Sequence, residues 1–161
     1  MSGSNIRWIV DASAALAGTI SGVTLPNGQV AGVRAVFGAG QGRSADPLRP
    51  GQTIAPATES PHEELTHVSD LPDAPTIIPL TQDGTIRLEW TVPMRLYATR
   101  GDLATARAIL LPFYDAYLAA FRDWTLGGLC ALAYIKSFKP AADDDWVWLD
   151  IDLYVLEEVS Y

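Results

Sequence analysis

The residue types of metal chemistry come together in His62-Glu63-Glu64-Leu65-Thr66-His67. A zinc-protease helix sets two histidines four apart, with a glutamate between them as general base. Here the histidines are five apart, which on a helix places them about 140° apart around the axis. A solvated acidic arm is the expected reading. Gly38-Ala39-Gly40-Gln41-Gly42-Arg43-Ser44 has the glycines of a phosphate loop. It lacks the lysine and the spacing of such loops, and it runs into Asp46-Pro47 instead of a helix N-terminus that would hold an anion. Cys130, the single cysteine, stands in an apolar run with no evident histidine partner. It reads as a buried, unreactive thiol. No Gly-x-Ser-x-Gly elbow is present. Asp150 and Asp152 share one face of the last strand, near Asp143, Asp144 and Asp145. Carboxylates so placed can hold a divalent cation, although a solvated acidic face accounts for them too. No catalytic residue, metal or cofactor is therefore expected.

Composition points the same way. The chain has 161 residues and a formal charge of −8, with lysine only at positions 136 and 139. That balance argues against general affinity for nucleic acid, since phosphate binding depends on Lys and Arg. It is compatible with DNA that slides past without sticking. One cysteine permits no intrachain disulfide. No apolar run approaches the roughly 20 residues of a membrane span, and Asp11 interrupts the N-terminal apolar stretch that would otherwise suggest a secretory signal.

The elements that must position these residues follow from periodicity. Ile6, Ile9, Val10, Ser13, Leu16, Ala17 and Ile20 form one helical stripe, which predicts a first helix over 5–20. A strand is expected over 29–37. Residues 38–75 are rich in Gly and Pro and read as a long arm, with one short helix near 61–67 from the capping-box spacing of Ser60-Pro61-His62-Glu63. Thr76–Leu80 reads as a strand, and Asp83-Gly84 as a hairpin turn. Ile86, Leu88, Trp90, Val92, Met94 and Leu96 then alternate with polar residues as in a half-buried strand. Pro93 within it implies an edge position or a bulge. A second helix opens at Gly101-Asp102 and buries Leu103, Ala106, Leu110, Phe113, Tyr114, Tyr117 and Phe121, with Pro112 expected to kink or split it. Leu126-Gly127-Gly128 is a turn, Leu129–Phe138 a strand, Asp143–Asp145 a turn, and Trp146 to about Leu156 the last strand. The expected fold is a single α+β domain over 1–161: an antiparallel or mixed sheet packed against two main helices.

The last strand carries the most information about partners. Val147, Leu149, Ile151, Leu153 and Val155 share its core face. Trp146, Trp148, Asp150, Asp152 and Tyr154 share the other. Aromatics on a partly polar face suit a protein interface, so Trp146, Trp148 and Tyr154 are the candidate contact residues. The bland alternative is that the second helix or the arm covers the tryptophans within the chain.

Trp90 to Tyr161 resembles the tail terminator (minor tail, tail-completion) proteins of siphophages. The resemblance is carried by Arg95-Leu96-Tyr97 with Arg100-Gly101-Asp102-Leu103, by Leu110-Leu111-Pro112-Phe113, by Leu126-Gly127-Gly128 and by the final hairpin. The Ala-rich first helix and Leu71-Pro72-Asp73-Ala74-Pro75 before a strand also fit. The resemblance implies a virion protein without catalytic residues, assembled in the host cytoplasm as a ring, usually of six. Such a ring sits on the last ring of the major tail tube protein, ends its polymerisation and meets a neck or head-completion protein, while genomic DNA passes through without specific binding. Asp150 and Asp152 then become candidates for the channel lining. The long arm departs from the family pattern and keeps open another neck role, such as a head-completion or stopper protein. A small hydrolase or ligand-binding domain is the alternative from a different class; it lacks a nucleophile–base pair or a metal set in the sequence.

Gly38 to about Glu59 holds few large apolar side chains, Leu48 and Ile54 nearly alone. Its own packing cannot offset an ordering entropy of about 1–2 kcal/mol per residue. Hydrogen exchange is therefore predicted to be fast there in free protein and slowed on assembly. Strong protection in the monomer contradicts this.

Overall fold

The computed structural model describes residues 3–26, 28–37, 64–99, 103–143 and 146–161. The order is α1 (Ile6–Ala17), β1 (Val23–Thr24), β2 (Val30–Phe37), β3 (Glu64–Ser69), β4 (Thr76–Pro79), β5 (Thr85–Thr99), α2 (Leu103–Ala120), β6 (Leu132–Ala142) and β7 (Val147–Ser160). The strands form one mixed sheet in the order β1-β2-β3-β5-β7-β6, with β4 pairing β5 on the same edge as β3. Only β2 and β3 pair in parallel among the described strands. This is the expected α+β class.

The C-terminal half follows the alternation in the sequence. Val147, Leu149, Ile151, Leu153 and Val155 are buried, as are Val92, Met94 and Leu96 of the adjoining β5. Leu110, Phe113 and Tyr117 of α2 and Ile9 and Val10 of α1 close the core from one side. At about 25 cal/mol per Å² of apolar surface this layer is the main stabilising term. Pro93 stands where β5 lacks a neighbour. Pairing with β3 ends at Ser69↔Met94, and pairing with β4 begins at Thr76↔Glu89. The Pro93 carbonyl accepts from Asp70 N at 3.1 Å, so its missing N–H faces this gap. The β5–β7 register is unbroken at Pro93↔Asp152, so the edge position explains the proline and no bulge is needed.

Several expectations need correction. The short helix near 61–67 is not formed over its described part: Glu64–Ser69 is β3, held between β2 and β5. Strand pairing on both sides overrides the local capping-box signal. The arm therefore does not extend to residue 75; its residues 38–63 lie outside the described ones. Helix α1 stops at Ala17, where Gly18 N bonds to Ala14 O and Thr19 N to Leu16 O. Helix α2 runs through Pro112 as one element. Strand β6 begins three residues late because the preceding turn is longer. There the Asp123 carboxylate accepts from Thr125 N, Thr125 Oγ1 and Gly127 N, and Leu126, Gly127 and Gly128 all have positive φ. Strand β7 continues four residues past Leu156 and so brings Glu157 into the core layer.

Glu157 is only 2% exposed. Its carboxylate accepts from Ser4 Oγ (2.6 Å), Asn5 N (2.7 Å) and Trp90 Nε1 (2.9 Å). A negative charge at the start of α1 also suits the helix dipole. One side chain thus ties α1 to β5 and β7. Glu157→Ala is predicted to destabilise by about 1–2 kcal/mol, because it leaves the half-buried Asn5 and Trp90 donors without their acceptor. Glu157→Gln, which keeps an acceptor, costs less. Equal and negligible shifts of the denaturant midpoint for both would contradict the assignment.

Candidate interface on the open sheet face

The helices cover one face of the β5–β7–β6 sheet. On the other face the side chains close on one another across strands. Arg87 pairs with Glu158 at 3.0 Å and Arg95 with Asp150 at 2.9 Å. Tyr154 OH donates to Glu89 at 3.0 Å, Ser137 Oγ to Asp152 at 3.2 Å, and Lys136 Nζ to Thr91 Oγ1 at 3.3 Å. Arg87, Arg95, Lys136 and Lys139 stand against Glu89, Asp150, Asp152 and Glu158, so the face is charge-balanced. Exposed pairs of this kind add little stability each.

Strand alternation brings the five residues singled out in the sequence to this face or its end, but they are not equally available. Trp148 is 8% exposed. The Arg95 guanidinium lies over its ring at 4.6 Å, and Tyr97 packs beside it with centroids 6.1 Å apart. Among the described residues this cover comes from β5. Trp146 is half-buried against the edge of Tyr97, at 6.3 Å. Tyr154 is half-buried and packs on Tyr134 at 5.1 Å. Asp150 and Asp152 are half-buried, and Asp150 is held by Arg95. Arg95 organises this face, since it holds Asp150, covers Trp148 and lies 3.5 Å from Tyr97 OH. Its partners sit on β7 at Asp150 and two residues away on β5, so only the β5–β7 register could have revealed them.

The motifs with chemical appearance resolve as follows. His62, Glu63 and the glycine-rich stretch lie outside the described residues. His67 is fully buried in β3. Its Nδ1 is 2.6 Å from Tyr117 OH and its Nε2 is 2.7 Å from Ser69 Oγ. The Ser69 and Ser13 hydroxyls are 2.9 Å apart, and Ser13 Oγ is 2.7 Å from Val10 O. Ser13 Oγ–H is directed toward both Ser69 Oγ and Val10 O, and Tyr117 OH and Ser69 Oγ meet the two nitrogens of the imidazole, one of which donates while the other accepts. The Ser69–His67 pair looks like a nucleophile and base. Both residues are inaccessible to solvent, so the chain works as a polar clasp joining β3, α1 and α2. Sequence reasoning missed it because His67 was assigned to a solvated arm. Cys130 is half-buried, and burial followed by the nearby Glu157 and Asp123 charges pushes its thiol up to about 11, which leaves it protonated and unreactive. Among the described residues no group of three His, Cys, Asp or Glu side chains is placed to hold a metal. No described helix is long and apolar enough to cross a membrane. No family model and no curated protein matches the chain.

Burial lowers His67 to about 3 from its ordinary value of 6.5. The unfolded chain then takes up a proton below pH 6.5 that the folded chain refuses until about pH 3. Stability is therefore lost as pH falls through this window, and the term is absent above it. Between pH 7 and pH 5 the loss from this residue is about 2 kcal/mol by linkage. His67→Gln is predicted to be less stable at pH 7 but to lose less stability on acidification. Parallel denaturation profiles for both proteins would show that His67 is not the cause.

Proposed function

We propose that the chain is a structural subunit of a long-tailed bacteriophage particle, forming a ring that terminates the tail tube and joins it to the neck. Six copies is the expected number. The major tail tube protein and a neck or head-completion protein are the expected partners. The resemblance over Trp90 to Tyr161 motivates this reading. Its expected parts stand in sequence order: a long strand leading to α2, Pro112 inside that helix, the Leu126-Gly127-Gly128 turn and the β6–β7 hairpin.

The observation that carries the reading is the open, charge-paired face of β5–β7–β6. A channel wall for DNA must not offer phosphates an excess of cations, because each phosphate contact releases counterions and binds strongly at low salt. Lys136 and Lys139 are exposed on this face, but carboxylates match its cations in number. On this face Arg87 and Arg95 are each held by a carboxylate of β7. Asp150 and Asp152 then belong to the channel wall, and they act there by occupying their neighbours as much as by repelling phosphate. The same face serves a head-completion or stopper ring equally well. The reading as a small hydrolase gains nothing, since the nucleophile–base pair of β3 is closed to solvent.

Native mass spectrometry of the full chain at high concentration is predicted to show a closed assembly of six. Asp150→Asn frees Arg95 and is predicted to raise duplex-DNA binding, with a salt slope steeper by about one. Tight duplex binding by the unmodified chain at physiological salt would contradict the channel assignment.

A further inference from the structure

Two apolar surfaces find no partner among the described residues. The first is the β4–β5 hairpin. All four residues of β4 are exposed, with Ile77 at 59%, and among the described residues β4 pairs β5 alone. Ile77 lies opposite Leu88 and Ile78 opposite Arg87, so the two isoleucines point to opposite faces of the sheet. A strand that shows isoleucine on both faces has no solvated side. No charged residue occurs between Pro75 and Gln82, whereas exposed edges are ordinarily guarded by charge.

The second is a groove of about 290 Å³ between the end of α2, the turn after it and β6. Leu118, Phe121, Trp124, Leu132, Tyr134 and Ile135 line it. Leu118 is 50% and Trp124 58% exposed. The groove opens at the outer edge of the sheet, where β6 is the last strand. Direct strand addition to β6 is not favoured there. Trp124 O already takes Ala133 N, and further along the edge stand Lys136, a register shift, Lys139 and Pro140. The groove therefore suits inserted side chains.

The two surfaces lie at the same end of the sheet but on opposite edges, with β5 and β7 between them. That is three strand spacings, roughly 14 Å. They cannot meet within one chain. Their rims are complementary: exposed Asp73 stands before the hairpin, whose Asp83 carboxylate is taken up by Thr81 and Thr85 of its own turn, while exposed Arg122 and Lys136 flank the groove. The nearby Asp123 carboxylate is turned into its own loop, on Thr125 and Gly127.

We infer that the β4–β5 hairpin of one copy inserts Ile77, the more exposed of its two isoleucines, into the Leu118–Trp124–Tyr134 groove of a second copy. The contact is head-to-tail, because each copy presents two unlike patches, and repeating it generates a ring if the rotation closes. It rests on the ring reading above for its closure only. It also moves the subunit contact away from Trp146, Trp148 and Tyr154 to the sheet edges, and leaves the charge-paired face free to look inward.

The test uses full-length chain in sedimentation velocity over a wide concentration range. Ile77→Glu and Leu118→Glu change exposed residues, and circular dichroism verifies that both variants keep the fold. The unmodified chain is expected to associate, and each variant to do so about tenfold more weakly or less, as for a central contact. Each variant retains one intact patch. An equimolar mixture is therefore expected to form pairs and nothing larger. The inference is overturned by an unmodified chain that stays monomeric, by assembly insensitive to either substitution, or by a mixture that forms no pairs. A closed ring insensitive to both substitutions would keep the ring reading and reject this contact. Open-ended filaments abolished by both would keep the contact and reject the ring.

Discussion

The ladder between β5 and β7 runs from Thr85↔Ser160 to Thr99↔Val147, and every other feature is placed by it. In a strand the side chains alternate, so a slip of one residue would exchange the two faces of β7. Leu149, Ile151 and Leu153 would then meet water, and Asp150 and Asp152 would enter the core. The cost of burying unpaired carboxylates excludes that slip. The correct register also brings Arg95 beside Asp150 and Trp148, and Arg87 beside Glu158. Core burial and surface pairing therefore select the same alignment, and the balanced open face follows from it.

Two buried polar devices attach the N-terminal half to this ladder. Glu157 receives donors from Ser4, Asn5 and Trp90. The His67 clasp joins β3 to both helices through Tyr117, Ser69 and Ser13. Polar groups in these positions cost stability unless every partner is supplied, and a fully supplied network favours a single arrangement of the elements around it. The contrast between the two is chemical. The carboxylate is held by three donors at a helix start, while the imidazole is kept neutral inside apolar walls. Acid therefore weakens the clasp that joins β3 to the helices.

The legible part of the chain was the part with a period. The alternation from Ile86 to Leu96 and from Val147 to Val155 identified both long strands and their buried faces, and the 3.6-residue pattern located α1 and α2. The Asp83-Gly84 and Leu126-Gly127-Gly128 turns followed from residues that tolerate positive φ. Strand β3 was hidden because its inward residues include His67 and Ser69, which read as polar, and because a capping-box spacing lies just before it. Long-range pairing decides such a segment, and no local signal reports it. The candidate face was visible as Trp146, Trp148, Asp150, Asp152 and Tyr154. Its organising residue was not, since Arg95 reaches Asp150 across 55 intervening sequence steps. Glu157 was likewise invisible, because the last strand was expected to end before it.

In the proposed ring, the charge-balanced face looks toward the lumen, with the helices behind it and the unlike apolar edges on either side. A cryo-electron-microscopy reconstruction of the assembled full chain, computed without imposed symmetry, tests this arrangement most directly. The account predicts a closed ring with the Arg95–Asp150 face toward the lumen and α1 and α2 outside. A ring with the helices facing the lumen, or particles that are single subunits at every concentration, would contradict it.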